Sequence, residues 1–199
     1  IHIQQSLGNR SGECVSRVNL GTAAHKAGDL TTAAVEFERA LGLAERLGNM
    51  PHQTFVLLNQ ASVQLAQRKP MDALASAWRA QKMAQRIRNP EYEAYALMTQ
   101  GAAQLASMQT SGAHASFAQS RAMLDELGLP HLSVEAVAWL GLAALRSGQT
   151  ATALEHVNQV LTHQAQNGHF DGTEDPLQIL WTCCEVLRAA ADERFGPVL

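Results

Sequence analysis

The sequence repeats itself at intervals of forty residues, and this period constrains the fold more than any other feature. The tripeptide LGN at 7–9 returns at 47–49, then becomes IRN at 87–89 and LGL at 127–129. A fixed period of this length is typical of solenoids and other repeat arrays. We therefore expect a single repeat domain over 1–199. Its copies are expected at 10–49, 50–89, 90–129 and 130–169, with a partial copy at 174–199.

Each copy has apolar residues at helical spacing on both sides of a short break, such as AGDL at 27–30 or RKPM at 68–71. Four prolines, Pro51, Pro70, Pro90 and Pro130, lie where a following helix would begin, a position at which the missing N–H costs least. The pattern predicts two helices of about 17 residues joined by a tight turn, which is an αα-hairpin. No strand-like alternation competes with it, so the predicted fold class is all-α.

Small residues recur at equivalent positions of the copies, and they indicate where helices approach each other. One set is Gly21, Ala61, Gly101 and Gly141, and another is Ala33, Ala73, Ala113 and Ala153. A glycine inside a helix costs about 1 kcal/mol relative to alanine, so a close helix contact should compensate for it. Gly21 and Ala33 lie about symmetrically around the break, and we expect them to form that contact.

Composition argues against several classes of partner and location. Charged residues make up 17% of the chain, and the net charge of −3 shows no acidic or basic block, so nothing indicates direct nucleic-acid or membrane binding. The chain has neither a membrane-spanning apolar run nor the pattern of a signal peptide, and a cytoplasmic location is expected. The cysteines fit no disulfide framework or zinc site and are expected to be buried thiols: Cys14, Cys183 and Cys184.

Catalytic and metal-binding motifs are missing from the sequence. It has no phosphate-binding glycine loop, no G-x-S-x-G and no H-E-x-x-H, so we expect no enzyme and no cofactor. The densest histidine set is His156, His163, His169 and Asp171, but the first two lie about 10 Å apart along a helix axis. We expect solvated histidines and no metal. Charged residues of the second helices should form an ordinary solvated face, among them Glu36, Glu38, Arg39, Arg79, Lys82 and Arg86.

These residues resemble the tetratricopeptide repeat (TPR) family, whose signature has Leu-Gly in the first helix and Ala-x-x-x-Phe in the second. Here they read Leu20-Gly21 and Ala33-x-x-x-Phe37, with partial matches in later copies, and the resemblance covers 10–167 well and 174–191 loosely. The period is forty rather than thirty-four, as in long-repeat members found in bacterial regulators. The resemblance implies a right-handed αα-hairpin solenoid, a TPR-like superhelix.

In the TPR family the first helices line a concave groove that binds a protein or peptide. The resemblance implies groove residues at equivalent positions of the copies: Val15, Val18, Asn19, Thr22, Phe55, Leu58, Asn59, Ser62, Tyr95, Met98, Thr99 and Trp139. Such a largely apolar groove suits an amphipathic helix or an extended peptide. Leu65, Leu105 and Leu145 either extend the groove or pack on neighbouring repeats.

Two functions follow as alternatives. The first is a protein or peptide interaction module, the sensor or scaffold segment of a larger bacterial signal-transduction regulator. The second is a small-molecule-binding effector domain of a transcriptional or signalling ATPase. The chain begins and ends inside a repeat, so we expect a fragment of a longer protein. Self-association is expected through apolar end faces formed by Ile1, Ile3 and Leu7 and by Leu180, Val186 and Leu187.

Overall fold

The computed structural model describes residues 10–167, 170, 173, 176–192 and 194. Over these residues the chain is helical apart from turns and short connections, and it contains no strand. The helices are α1 Arg10–Lys26, α2 Leu30–Arg46, α3 Met50–Ala66, α4 Pro70–Arg86, α5 Pro90–Ala106, α6 Thr110–Glu126, α7 Pro130–Arg146, α8 Thr150–Asn167 and α9 Pro176–Ala189. This confirms the predicted all-α array of αα-hairpins with 17-residue helices. None of these helices is long and apolar enough to cross a membrane.

Turns of three residues connect α1 through α8, so the helix-and-turn unit recurs every twenty residues. The middle residue of each turn has a positive φ and sits in the left-handed region: Gly28, Gly48, Arg68, Arg88, Met108, Gly128 and Gly148. Glycine adopts this conformation without steric cost, whereas other L-residues are strained in it. The turns before and after α4 both use arginine at this position.

The third residue of a turn caps the next helix where its side chain is short and polar. Asp29 accepts a hydrogen bond from the Thr32 backbone N–H at 3.0 Å, and Asn49 accepts one from the His52 N–H at 3.1 Å. Lys69, in the same position before α4, makes no side-chain cap. An N-cap oxygen satisfies one of the free N–H groups at a helix start, so α4 begins without a stabilising contact that α2 and α3 have.

The core is built from the small and apolar positions that the repeat predicts. Ala33, Ala73, Ala113 and Ala153 are fully buried, as are Phe37, Ala77, Phe117 and Val157 at a second position of the second helices. Because each hairpin buries these side chains against its own first helix and its neighbours, one repeat has no complete core. The predicted alignment of the copies therefore describes the packing.

The chain divides into two compact units, residues 1–103 and residues 104–199, with the boundary inside α5. In the first unit, α1 packs on α2, α2 on α3, and α3 on α4. In the second unit, α6 packs on α7, α7 on α8, and α9 on both α7 and α8.

Gly21 makes room for a different residue from the one expected. A Cβ at Gly21 would lie 2.9 Å from Cε1 of Phe37, so the glycine accommodates the phenylalanine ring, and its nearest neighbour is Phe37 rather than Ala33. At Gly141 a Cβ would lie 3.3 Å from Cβ of His156 and 3.5 Å from the Ala153 carbonyl oxygen. Position 157, which is equivalent to Phe37, holds a valine. The nearest neighbours of Gly141 are therefore atoms at or close to the backbone of α8.

A buried ion pair joins α1 to α2, although Glu36 was expected on a solvated face. The Arg17 guanidinium donates to a Glu36 carboxylate oxygen at 2.7 Å and to Glu13 at 2.7 Å. Arg39 reaches the other Glu36 oxygen at 2.8 Å. Arg17 and Glu36 are both buried, so each depends on the other for compensation of its lost hydration.

The expected apolar face of α9 is also different in the structure. Val186 and Leu187 are fully buried and Leu180 packs against the same core, so these residues do not form an exposed end face. The exposed apolar side chains of α9 are Leu177 and Trp181 instead. Ile1, Ile3 and Leu7, expected to form the other end face, lie outside the described residues.

Candidate functional site

The candidate site is the surface that the first helices α1, α3 and α5 present in the first unit. We call it the first-helix face and define it by side chains at equivalent repeat positions: Val15, Asn19, Thr22, Phe55, Asn59, Ser62, Tyr95 and Thr99. Val15 is 41% exposed and Phe55 is 37% exposed, so both apolar side chains present part of their surface to solvent. The Tyr92 ring lies against Phe55, with 6.3 Å between ring centroids.

Tyr92 is a residue of this surface that the sequence prediction omitted. It precedes the predicted residue Tyr95 by about one helical turn. Only the tilted packing of its ring on Phe55 assigns it to the first-helix face. An aromatic pair bridging two consecutive first helices gives the face a rigid apolar centre.

Three of the predicted groove residues lie beneath this face. Val18 and Met98 are buried, and Leu58 is half-buried against the same core as Val18. In this structure their side chains hold the first helices together and are not open to a partner. They support the face by fixing the spacing of the helices that carry Val15 and Phe55.

The polar residues of the face are tied to their own helices. The Asn59 side-chain amide donates to the Phe55 backbone carbonyl oxygen at 2.9 Å. The Thr99 hydroxyl donates to the Tyr95 backbone carbonyl oxygen at 2.9 Å. The Ser62 hydroxyl donates in the same way to Leu58 at 3.3 Å. Each bond ties a side chain to its own helix, while the Asn59 amide oxygen and the two hydroxyl oxygens keep lone pairs, so the polar edge offers hydrogen-bond acceptors to a partner.

The middle of the face carries no formal charge. Glu13, the acidic residue closest in sequence to Val15, is engaged by the buried Arg17. On the neighbouring helix α5, Glu93 accepts hydrogen bonds from the side-chain amides of Gln85 and Gln81 at 2.6 and 3.3 Å. Burial lowers the pKa of His25, which keeps this imidazole neutral.

The remaining predicted residue, Trp139, belongs to the second unit. Its ring stacks on the buried Phe117 with centroids 5.5 Å apart, and the side chain is half-buried. Among the leucines whose role was left open, Leu65 and Leu145 pack against buried core residues. Packing on neighbouring repeats therefore accounts for these two.

The second unit contains a small polar cavity of about 200 Å³ between α6, α7 and α8. Arg121, Asp125, Ser133 and His163 are among the residues that line it. The Ser133 hydroxyl donates to one Asp125 carboxylate oxygen at 2.5 Å, and the Arg121 guanidinium forms an ion pair with the other at 3.6 Å, so Asp125 is already engaged by both neighbours. The volume is below the range of about 300–1,000 Å³ that is usual for small-molecule sites.

The described members of the histidine set are His156 and His163. Among the described residues, no group of three His, Cys, Asp or Glu side chains is arranged to hold an ion, while His169 and Asp171 lie outside the described residues. His156, expected in solvent, is half-buried, and its buried Nδ1 has no hydrogen-bond partner among the described residues.

The cysteines are free and buried, as expected. The Cys14 thiol donates to the Ala40 carbonyl oxygen across the α1–α2 contact at 3.5 Å. Burial raises the pKa of Cys183 to about 12, so this thiol stays protonated and unreactive while the fold is intact.

Comparison with known proteins finds relatives of the fold only. Neither protein-family models nor curated proteins match the chain. A Podosopora anserina structure with nearly identical TPR-like repeats matches with a TM-score of 0.68 and 15% identity over 92% of this chain and 89% of that one. Aspartyl phosphate phosphatase F from Bacillus subtilis matches with a TM-score of 0.78 and 14% identity over 95% of this chain and 48% of that one.

A Rap protein in complex with Competence and Sporulation Factor matches with a TM-score of 0.74 and 13% identity. The alignment covers 91% of this chain and 54% of the Rap protein. This chain thus spans about half the length of phosphatase F and of this Rap protein. At such identities the likeness concerns the fold, and the chain is an array of TPR-like αα-hairpins.

Proposed function

We propose that this chain is a protein-interaction module that binds a partner peptide on the first-helix face of the first unit. The observation that carries the proposal is the exposed pair Val15 and Phe55, which occupy the same repeat position on neighbouring first helices. An apolar patch of this kind is costly to leave in water, and its burial by a partner is favourable.

The chemistry of the face favours an uncharged, extended or helical segment with at least one large apolar side chain. Phe55 and Tyr92 offer a ring surface, and the acceptor oxygens beside them suit backbone N–H groups of a bound segment. A charged residue placed over the centre would lose hydration without finding an opposite charge.

Two features favour this function over a small-molecule effector domain. The cavity in the second unit is small, and its Asp125 carboxylate is already engaged by Ser133 and Arg121. A small-molecule site needs convergent polar groups that are available to the ligand. By contrast, the first-helix face presents equivalent side-chain positions on successive helices, and a peptide backbone presents its hydrogen-bonding groups at regular intervals.

We further propose that the module serves a larger signalling protein. The similarity to a Rap protein in complex with Competence and Sporulation Factor supports this context, since that fold also serves recognition of a factor. The match to about half of that chain is compatible with a module that works beside other domains.

The test is selection of peptides from a random display library on the immobilised chain, followed by affinity measurement on variants. Phe55→Ala should weaken a selected peptide by about tenfold or more, because it removes the ring at the centre of the face. Trp181→Ala, which removes an exposed ring from α9 of the second unit, is the matched control and should leave the affinity unchanged. Peptides that bind both variants as tightly as the parent chain would contradict the proposal.

A further inference from the structure

A second surface, distinct from the first-helix face, lies on α4. Its apolar centre consists of Met71, which is 61% exposed, and Trp78, which is 51% exposed. On a helical projection the residues that define this surface fall within an arc of about 100° that begins at Trp78, with the exposed Gln85 and Asp72 at its two edges. We call this the α4 face and define it by Met71, Ala75, Trp78, Arg79, Lys82 and Arg86.

The segment around the α4 face has a positive net charge, whereas the net charge of the whole chain is negative. Residues 67–89 hold six of the 15 Lys and Arg residues of the protein, and Asp72 is the single acidic residue among them. The segment is therefore strongly positive in a chain whose net charge is −3. The six cations are all exposed: Arg68, Lys69, Arg79, Lys82, Arg86 and Arg88.

Almost none of this charge is neutralised within the described residues. Arg79 pairs with Glu45 at 3.4 Å, and the two side chains are 58% and 50% exposed. Such a surface ion pair contributes little to stability. The other five cations form no ion pair with any residue that the structure describes. Trp and Arg are also the residue types most enriched where binding energy concentrates in protein interfaces.

Both turns that flank α4 give up local stability for positive charge. Arg68 and Arg88 occupy the left-handed position that glycine holds in the turns before α2 and α3. Lys69 stands where Asp29 and Asn49 cap the preceding helices, and it makes no cap. A charge that breaks a local rule without an ion pair or side-chain hydrogen bond to any described residue points to use outside the chain.

We propose that the α4 face docks an acidic protein segment that carries a large apolar side chain. The segment's carboxylates meet Lys82, Arg86 and the flanking turn cations, and its apolar side chain packs on Trp78 and Met71. A negatively charged segment is the complementary occupant of an unpaired cluster of cations. Nucleic acid is disfavoured because the whole chain is acidic and because phosphates leave an apolar centre unburied.

The experiment uses fluorescence anisotropy with three probes on the full chain. The first probe is a short peptide of Asp, Glu, Leu and Trp. The second has the same acidic residues with Ser in place of Leu and Trp, and the third is a single-stranded oligothymidylate. We expect the first probe to bind more tightly than the other two, with an affinity that falls as salt is raised.

Variants locate the binding. Lys82→Glu should weaken the first probe by about tenfold, and Trp78→Ala by about fivefold, with melting temperatures unchanged because both side chains are exposed. Arg10→Glu is the matched charge reversal at an exposed residue of α1 and should change the affinity by less than about twofold. Phe55→Ala should also have no effect, which separates this surface from the first-helix face.

Three results would overturn the proposal. The first is no measurable binding of the acidic apolar peptide. The second is equal affinity for the peptide without apolar side chains, which would indicate charge attraction alone. The third is tighter binding of the oligothymidylate, lost in Lys82→Glu and Trp78→Ala, which would make the face a nucleic-acid surface.

Discussion

At the scale of single residues, the buried side-chain polar atoms of the described residues have hydrogen-bond partners with two exceptions, Gln64 Oε1 and His156 Nδ1. Arg17 and Glu36 are both buried, and each is compensated by short charge-assisted hydrogen bonds. His156 is different, because its Nδ1 is buried without a partner among the described residues and its Cβ packs against Gly141. Burial, together with the nearby positive charge of Arg121 and with His114, lowers the pKa of His156 despite the opposing effect of Glu155.

This pKa predicts a loss of stability in acid. The folded state holds His156 neutral, whereas the unfolded chain takes up a proton near its ordinary pKa of about 6.5. The unfolded state therefore binds more protons in this range, and the free energy of unfolding should fall as the pH drops from about 7.5 to about 5.5. His156→Gln should reduce this slope in urea titrations. An unchanged slope in the variant would show that other groups cause the pH dependence.

At the scale of the helix-and-turn unit, the turns explain how copies with different sequences share one geometry. A left-handed residue between two 17-residue helices reverses the chain every twenty residues, and glycine is the residue that does so without strain. The turns before and after α4 keep this geometry with arginine in the left-handed conformation. This conformation costs of order 1–3 kcal/mol of folding free energy for each non-glycine residue.

The strain at Arg68 can be measured. Arg68→Gly should raise the free energy of unfolding by about 1 kcal/mol, since relief of the left-handed strain outweighs the extra chain entropy of glycine. Gly28→Arg, at the equivalent position before α2, should lower the free energy by a similar amount. Urea midpoints at constant m-value check both variants. If Arg68→Gly destabilises the chain, the arginine makes a stabilising contact that outweighs its backbone strain.

At the scale of the whole molecule, charge is divided between the two compact units. Residues 1–103 contain 11 Lys and Arg against 8 Asp and Glu, whereas residues 104–199 contain 4 against 10. The absence of acidic or basic blocks does not reveal this division, because it concerns runs along the chain and not the units into which the chain folds. Each unit also has a buried cysteine in its core, Cys14 in the first and Cys183 in the second.

These thiols can report the stability of each unit separately. In a repeat array each element is stabilised by its neighbours, so a defect should act mainly within its own unit. Gly21→Leu, which collides with Phe37, should accelerate iodoacetamide labelling of Cys14 more than that of Cys183. Gly141→Leu should do the reverse. Mass spectrometry of the labelled peptides measures both rates, and equal acceleration of both thiols in each variant would indicate one cooperative unit.

The repeat period by itself determined the helices, the turns and the buried small positions, because helical spacing and turn residues are local properties of the chain. It also placed Val15 and Phe55 at one equivalent position of successive first helices, and Asn19 and Asn59 at another. Tertiary packing alone decided that Val18 and Met98 are buried, that Glu36 pairs with Arg17, and that Gly21 faces Phe37 rather than Ala33. The reason is physical: burial and pairing depend on the rotation and distance between two packed helices, which the spacing of residues along one helix does not specify.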